Sequence, residues 1–530
     1  MKRRDFIKLS SAAGVAGVVG SHYDAAANPL YEQQASGFDL HPFIKAHPEA
    51  VFVYLTDVKE KTDQKGTHDA GHKLASEMFV STSGGAGFSN STKIAAKPNW
   101  TCSSQDRDDP TATMGIITDM GFTEGYLNGI KSIGPQQVHI RECACPQQWE
   151  PFGFIDMAKR NNFDLTNLVA KDPWEYDGEI IFKEVNGTIY KEIGFMTPMA
   201  TPDSFLVNLA KFKAHGMGIT ASIKNLQGIV ARRLHQFCST ADAIRQLPEG
   251  YHRYFQPNYL EKVAEFHKQH VEAGIPRWNE RMARTPFNTG LYMEQWVQRT
   301  CDSYSVIPMM SNGINIVEGI YGRDGNGFAA GPHNGKAMDF MSNNIIFGKD
   351  AFRVDIITHW LAGHEPGNFG LFHIGIEKGL SDVLDPFDIP VYLWENGSAR
   401  KIELNELKRT PLVTYYNQKE GEEYYHMVDE PFDYKAWKTT GKIAKIEPSV
   451  KAIGTDSNNN IVLDMNVPQK GDVYVDIKNS QGEVVWRMRA NDLEPGNHQV
   501  VWDGFGQPGM YEAYVKGMEW DAERQVVIYT

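Results

Sequence analysis

Cysteine is scarce in this chain, which has only five among its 530 residues. So small and odd a number excludes a disulfide scaffold as the basis of the fold. The chain also lacks a C-x-x-C pair and a ferredoxin-like run of cysteines. The sequence therefore has no ligand-complete iron–sulfur motif.

Two further absences narrow the range of partners. Apart from its first residues, the chain has no run that approaches the roughly 20 apolar residues needed to span a bilayer. It has no basic stripe, and its formal net charge is −13, which disfavours a nucleic-acid partner or an anionic membrane surface. With 41% hydrophobic and 22% charged residues, the composition is that of a globular protein, and the length of 530 residues predicts two or three domains.

The N-terminal stretch "MKRRDFIKLSSAAGVAGVVG" has paired arginines, a phenylalanine two positions on and a weakly apolar run. With the A-x-A pattern at Ala25–Ala27, residues 1–27 resemble a twin-arginine signal peptide. The alternative is a basic helix that stays in the mature fold. The resemblance predicts export of the folded protein by the twin-arginine translocase to the periplasm or beyond. Export after folding is a hint of a cofactor inserted beforehand.

Short apolar runs alternate with helical periods from about residue 50 onwards. This pattern predicts an α/β domain over residues 28–435, with a mostly parallel sheet flanked by helices. We expect Gly134 to end one helix and Asp350 to begin another. One hairpin interrupts the pattern, and Asn186-Gly187 is expected to supply its turn. His267 and His270 share one face of an otherwise charged helix, so a solvated face is expected.

The pattern changes near residue 440 to alternating apolar and polar residues with Gly, Asn and Pro turns. It predicts an antiparallel β-sandwich over residues 440–530. The stretch "VWDGFGQPGMYEAYV" resembles the Ig-like domain of flagellar hook-capping proteins. The matching positions are Trp502, Asp503, Gly504, Gly509 and Tyr511. A generic β-hairpin is the alternative.

Polar side chains follow the predicted strands at their carboxyl ends. In an open parallel sheet these ends meet at one edge, where ligands bind. The expected ligand-binding residues are Lys97, Asn99, Lys211, Thr220, Lys224 and Asn225. The candidate general bases are Glu142, His215 and Glu318. We expect the lysines to converge on a phosphate, a carboxylate or an anionic sugar, with glycine N–H groups beside them. The alternative is a lysine–carboxylate network that only ties the strand ends together.

The order of "KIAAKPNW", "HIREC", "KFKAHGMGITASIKNLQG", "VEGIYGRDGNGFAAGP" and "IIFGKDAFRVDIITHWLAG" resembles the bacterial and archaeal family called domain of unknown function 362. The resemblance covers roughly residues 50–385. It implies that Asp355, which keeps the family's acidic position, belongs to the site. Arg141 departs from the family, which usually has glycine there. The resemblance implies no particular reaction.

The remaining cysteines leave three interpretations open. Cys102 and the pair Cys143 and Cys145 follow strands that we expect to be neighbours. Cys102 could form a disulfide with one of the pair. Alternatively, the three thiolates could hold a metal or cluster, or the cysteines could stay free and buried.

Three functions are compatible with the sequence. The first is an enzyme acting on an anionic small molecule or saccharide. The second is a non-catalytic protein that binds a ligand or a surface. The third is a periplasmic oxidoreductase whose cofactor is loaded before export. The Gly-rich residues 319–335 fit neither the dinucleotide fingerprint nor the Walker loop, so they favour a long loop over a nucleotide site.

Overall fold

The structure is a computed structural model. It describes residues 37–83, 85–101, 113–142, 148–166, 178–215, 218–231, 247–276, 278, 290–324, 338–412, 432–441, 449–455, 461–468, 470–502, 509–517 and 521–528. Residues 1–27, most of the Gly-rich run and every cysteine except Cys301 lie outside these ranges. No helix in the described ranges is long and apolar enough to cross a membrane.

A nine-stranded sheet forms the centre of the α/β region. Its strands lie in the order β16 (Ser398–Ile402), β15 (Val391–Glu395), β2 (Val51–Leu55), β14 (Met338–Gly348), β13 (Gly313–Asp324), β10 (Ser204–Lys211), β5 (Lys93–Pro98), β6 (Val138–Arg141) and β7 (Asp164–Thr166). Strand β14 is antiparallel to both of its neighbours and β16 is antiparallel to β15, whereas the other neighbouring pairs are parallel. The mostly parallel sheet predicted from the sequence is confirmed.

Shorter strands form a small three-stranded sheet and two hairpins. They are β1 (Gly37–Leu40), β3 (Phe79–Thr82), β4 (Phe88–Ser89), β8 (Ile180–Glu184), β9 (Glu192–Met196), β11 (Lys213–His215) and β12 (Gly218–Thr220). The helices are α1 (Pro42–Ala46), α2 (Gln64–Met78), α3 (Met120–Ile133), α4 (Phe154–Asn161), α5 (Ser222–Leu226), α6 (Tyr259–Glu272), α7 (Gly290–Ser305), α8 (Met309–Asn312), α9 (Ala351–Leu361), α10 (Gly370–Glu377) and α11 (Tyr434–Thr440).

Cap chemistry fixes the ends of several helices. The Asp350 carboxylate accepts the N–H groups of Phe352 and Arg353, and so satisfies two donors that the first turn of α9 leaves open. At the C-terminal end of α3, Gly134 follows the last helical residue. Both helix limits were predicted from these residues and are confirmed.

Alternate residues of the central strands feed two hydrophobic cores, one on each side of the sheet. On β10, Phe205 and Leu209 pack with α2, α3 and α4, whereas Leu206 and Ala210 pack with α5, α7, α9 and α10. We call these sides the α3 face and the α9 face. Because side chains alternate along a strand, the position of a residue within its strand decides which face it reaches.

The hairpin of β8 and β9 is confirmed, and Asn186-Gly187 lies in its connection. The connection spans residues 185–191 and wraps around the buried carboxylate of Asp302 on α7. This carboxylate accepts the N–H groups of Thr188 at 3.0 Å, Ile189 at 2.8 Å and Tyr190 at 3.2 Å. A Cβ atom at Gly187 would lie 2.4 Å from Cγ of Asp302. This glycine therefore serves a close approach and not a tight turn.

The expected solvated histidine face is wrong for His270, which is buried on α6. Its Nδ1 lies 2.7 Å from the Glu294 carboxylate and its Nε2 lies 2.7 Å from that of Glu377. Burial alone would lower the pKa of His270, but the two carboxylates raise it to about 9. His270 is thus a charged link between α6, α7 and α10.

The C-terminal residues form two antiparallel sheets. Their strands are β17 (Ser449–Thr455), β18 (Ile461–Val467), β19 (Gly471–Lys478), β20 (Val484–Leu493), β21 (Gly496–Trp502), β22 (Gly509–Lys516) and β23 (Asp521–Ile528). One sheet has the order β17-β18-β21 and the other β20-β19-β22-β23. Both sheets contribute to one hydrophobic core, to which Leu463, Val475 and Val515 belong. The predicted antiparallel β-sandwich is confirmed.

Candidate functional site

The hairpin of β11 and β12 follows directly after β10 and is amphipathic. Lys213 pairs with Thr220 across the hairpin and His215 pairs with Gly218, so that Lys213, His215 and Thr220 lie on one of its sides. The opposite side carries Ala214 and Ile219, which pack into the core on the α9 face. Because side chains alternate along a strand, this short hairpin has one apolar side, which packs into the core, and one polar side.

Helix α5 adds a lysine to that polar surface. Lys224 is half-buried, and its Nζ lies 3.4 Å from Oγ1 of Thr220. The start of α5 is held by Asp355 on α9, whose carboxylate accepts the N–H groups of Ser222 at 2.7 Å and Ile223 at 2.9 Å. Burial raises the pKa of Asp355 to about 7. We call Lys213, His215, Thr220 and Lys224 the cationic face.

The cationic face collects positive charge in a buried place. Burial lowers the pKa of Lys213 well below its ordinary value, and the charges of Lys224, Lys211 and Arg323 lower it further, while Glu142 opposes them. Burial likewise lowers the pKa of His215 well below 6.5, aided by Lys224 and Lys213. A bound anion would offset the repulsion between these positive charges.

Lys97 lies elsewhere, in a buried ion pair at the end of β5. Its Nζ donates to Oε2 of Glu142 at 2.7 Å, to Oδ1 of Asn225 at 3.0 Å and to the carbonyl of Pro98 at 2.6 Å. Glu142 also accepts the N–H of Trp100 at 3.1 Å. A Cβ atom at Gly228 would lie 2.3 Å from Cε of Lys97, which explains why a glycine ends the segment "KNLQG" of residues 224–228.

Lys211 forms a second buried ion pair on the opposite side of the sheet. Its Nζ lies 2.6 Å from Oε2 of Glu318 and 3.6 Å from the ring centroid of Tyr321. Glu318 also accepts the N–H groups of Asp119 and Ile320. Burial raises the pKa of Glu318, although the charge of Lys211 opposes this. Both side chains of the ion pair are fully buried.

A chain of buried amides joins the strand ends on the α9 face. Asn225 donates to Oδ1 of Asn208 at 2.8 Å, and Asn208 donates to Oδ1 of Asn315 at 2.9 Å. Asn99 donates to Oδ1 of Asn225 at 3.0 Å. Among the described residues, no donor reaches Oδ1 of Asn99, although this atom is buried. A buried acceptor of this kind is costly unless a partner arrives.

A family model described as "Domain of unknown function (DUF362)" matches residues 94–359, which reach from β5 to α9 and make up half of the chain. The chain belongs to the DUF362 family. No curated protein matches it. The matched range is narrower than the roughly 50–385 expected from the motifs, and it contains all the residues of both ion pairs and of the cationic face.

The predicted site residues of this DUF362 chain do not form a single cluster. Thr220, Lys224 and His215 lie together on the cationic face. Lys97 and Lys211 are instead held by Glu142 and Glu318, the carboxylates considered as general bases, and they point to opposite faces of the sheet. Asn225 and Asp355 hold strand ends and the start of α5. For Lys97 and Lys211, the described contacts are those of a lysine–carboxylate network.

The sequence analysis did not single out Asp119, Tyr321 and Arg323, and it placed Lys213 at the strand end without assigning it to the ligand. Lys213 carried a signal, because it lies two residues before His215 in a segment predicted to run as a strand, and side chains two apart share a side. In the sequence, Asp119 has the position of a helix cap, and no residue near it in the chain indicates the contact with Tyr321. Arg323 lies in the Gly-rich run, where its bond to Asp339 at 2.7 Å was not foreseeable.

The thiols considered as metal ligands, Cys102, Cys143 and Cys145, lie outside the described residues. Within the described ranges, no group of three or more His, Cys, Asp or Glu side chains is arranged to hold a metal ion. Cys301 is a free, buried thiol on α7, and burial raises its pKa.

Proposed function

We propose that this DUF362 protein binds an anionic small molecule or an anionic saccharide at the cationic face. The observation that carries the proposal is the placement of Lys213, His215 and Thr220 on one side of a hairpin, with Lys224 reaching Thr220. Burial lowers the pKa of Lys213 and of His215, and the positive charges of neighbouring lysines lower both further. A phosphate or carboxylate group between them would offset this repulsion. The unsatisfied carbonyl of Asn99, near the same strand ends, would accept a hydroxyl group, which a saccharide supplies.

If the ligand is converted, His215 is the candidate for proton transfer. Its depressed pKa keeps the imidazole neutral at pH 7, so that one ring nitrogen can accept a proton and the other can donate one. Glu142 and Glu318 are engaged by lysines in the described structure. This engagement favours the second candidate, a non-catalytic ligand-binding protein, and product formation would separate the two.

Replacing Lys224 by alanine is expected to weaken the binding of inorganic phosphate by about tenfold, because one charge-assisted hydrogen bond is lost. Lys224→Arg should retain most of the affinity, since the charge remains. Isothermal titration with phosphate and with glucuronate at low ionic strength measures both variants. The matched control is Lys73→Ala, which removes a half-exposed lysine on α2. An affinity that is the same in wild type and Lys224→Ala would remove Lys224 from the site.

We further propose that residues 1–27 are a twin-arginine signal and that the mature protein is periplasmic or extracellular. The paired Arg3 and Arg4 and the alanines at 25–27 support this proposal. The N-terminal residue of the exported protein is expected to be Asn28, as read by Edman sequencing or mass spectrometry. Recovery of the exported protein with its first residues intact would contradict it.

We also propose that the C-terminal sandwich is of the Ig-like class. Its sheets of three and four antiparallel strands are the numbers found in a constant-type Ig domain. Trp502 and Tyr511, two of the motif positions, pack in its core with ring centroids 5.0 Å apart. An experimental strand order without Greek-key connections would rule the class out.

A further inference from the structure

A cavity of about 280 Å³ lies on the α3 face, near the start of α3. Six of its lining side chains are apolar or aromatic: Met114, Ile117, Met120, Phe152, Phe154 and Tyr321. An apolar cavity of roughly 150 Å³ is large enough for benzene, so this volume suits a single small ring system. The lining residues of the cavity differ from those of the cationic face, although Lys213 of that face donates to the carbonyl of Ile116, which lies beside the lining residue Ile117.

The aromatic walls of the cavity are held in place by stacking and edge contacts. Phe154 stacks on buried Trp100 with ring centroids 3.9 Å apart and planes 6° apart. Phe152 meets Phe154 at 84°, with centroids 6.2 Å apart. Fixed aromatic planes together with adaptable methionine thioethers form a surface on which a flat ring packs well.

The remaining wall is polar and equally fixed. Oδ2 of Asp119 accepts from the Tyr321 hydroxyl at 2.6 Å and from Nε2 of Gln64 at 3.0 Å, while Oδ1 accepts the N–H of Phe122 at 2.7 Å. The ammonium of Lys211 lies 3.6 Å from the Tyr321 ring centroid and so restrains that ring as well. Tyr321 is thus oriented by contacts at its hydroxyl and at its ring.

Asp119 has capacity for one more donor. An ionised carboxylate offers about four acceptor positions, and the three donors just described leave one. Asp119 is 2% exposed and lines the cavity, so a further donor would come from whatever enters the cavity. A hydrogen bond to a buried carboxylate is stronger than one between neutral groups, and it would select a ligand that carries such a donor.

We propose that this cavity binds a flat aromatic ring that bears a hydrogen-bond donor, of the indole or phenol class, with the donor on Asp119 and the ring against Phe152, Phe154 and Tyr321. The proposal is independent of the anion site and remains valid if that site fails its own test.

Indole and 1-methylindole are the matched probes, because they differ in the N–H donor. We expect saturable binding of indole to the full chain by isothermal titration and by saturation-transfer NMR, and binding of 1-methylindole weaker by about tenfold. Met120→Trp should abolish indole binding by filling the cavity. Met338→Trp replaces a methionine that is 48% exposed and does not line the cavity, and it should bind indole as the wild type does.

Three results would overturn the proposal. One is the absence of saturable indole binding to the wild type. Another is equal affinity for indole and 1-methylindole, which would remove Asp119 as the acceptor. The third is unchanged indole binding in a variant that blocks the cavity. Thr62→Trp, at an exposed rim position, provides such a variant if Met120→Trp does not fold.

Discussion

Replacing Lys211 by methionine should lower the free energy of unfolding by about 4 kcal/mol. The substitution keeps the length of the side chain and removes its charge, which leaves the Glu318 carboxylate buried without its cation. An unpaired buried charge is among the most destabilising changes that a single substitution produces. Urea denaturation of wild type and variant, followed by circular dichroism, measures the difference.

Two controls make this result specific to the buried ion pair. In Lys211→Met with Glu318→Gln, the charge is gone, but the amide oxygen can accept only one of the N–H groups of Asp119 and Ile320, which bond to different oxygens of Glu318, so that only part of the lost stability should return. Lys93→Met breaks the Lys93–Asp203 pair, whose side chains are 37% and 60% exposed, and should cost under about 1 kcal/mol. A loss below about 1 kcal/mol in Lys211→Met itself would mean that Glu318 is not held as the structure shows.

Replacing Asp302 by alanine should be almost as costly, at about 3 to 4 kcal/mol of unfolding free energy. Three backbone N–H groups, of Thr188, Ile189 and Tyr190, would lose a buried acceptor. The hairpin of β8 and β9 would lose the group around which its connection folds, so that amide hydrogen exchange over residues 185–191 should accelerate by orders of magnitude.

Two further variants, Asp302→Asn and Asp203→Ala, test whether the loss of stability comes from the buried acceptor at Asp302. Asp302→Asn keeps one oxygen acceptor and should lose about half as much stability as the alanine variant. Asp203→Ala removes a carboxylate that is 60% exposed and should change the unfolding free energy by less than about 0.5 kcal/mol. Unchanged exchange over 185–191 in Asp302→Ala would show that the connection does not depend on this carboxylate.

The elements of the fold were predictable where local chemistry decides them. Gly134 and Asp350 mark helix ends because caps act within a few residues. The alternation of strands and helices is also a local pattern, and it was enough to predict the class of the sheet. The sequence places Asn186-Gly187 in the hairpin connection, but the course of that connection depends on Asp302, which lies more than 100 residues away in the chain.

The site was predictable only in part, because its ion pairs are long-range. Lys97 and Glu142 are 45 residues apart, and Lys211 and Glu318 are 107 apart. The sequence predicts that all four follow or end strands, but it does not give the order of the strands in the sheet. The prediction that His270 is solvated was wrong for a similar reason, because Glu294 and Glu377 reach this histidine from other helices. Lys224 and Thr220, four residues apart, were within the reach of local reasoning.

The two polar pairs between β10 and β13 also determine how these strands can align. Asn208 lies opposite Asn315 and Lys211 lies opposite Glu318, three residues further along both strands, so that one pair points to each face of the sheet. Hydrophobic residues alone would tolerate several alignments, because both strands contribute apolar side chains to the core on each face of the sheet. A slip by one residue would bring Lys211 opposite Val317 or Gly319 and separate both pairs at once. The buried lysine and asparagine thus select a single alignment, at the same strands whose ends lead into the cationic face.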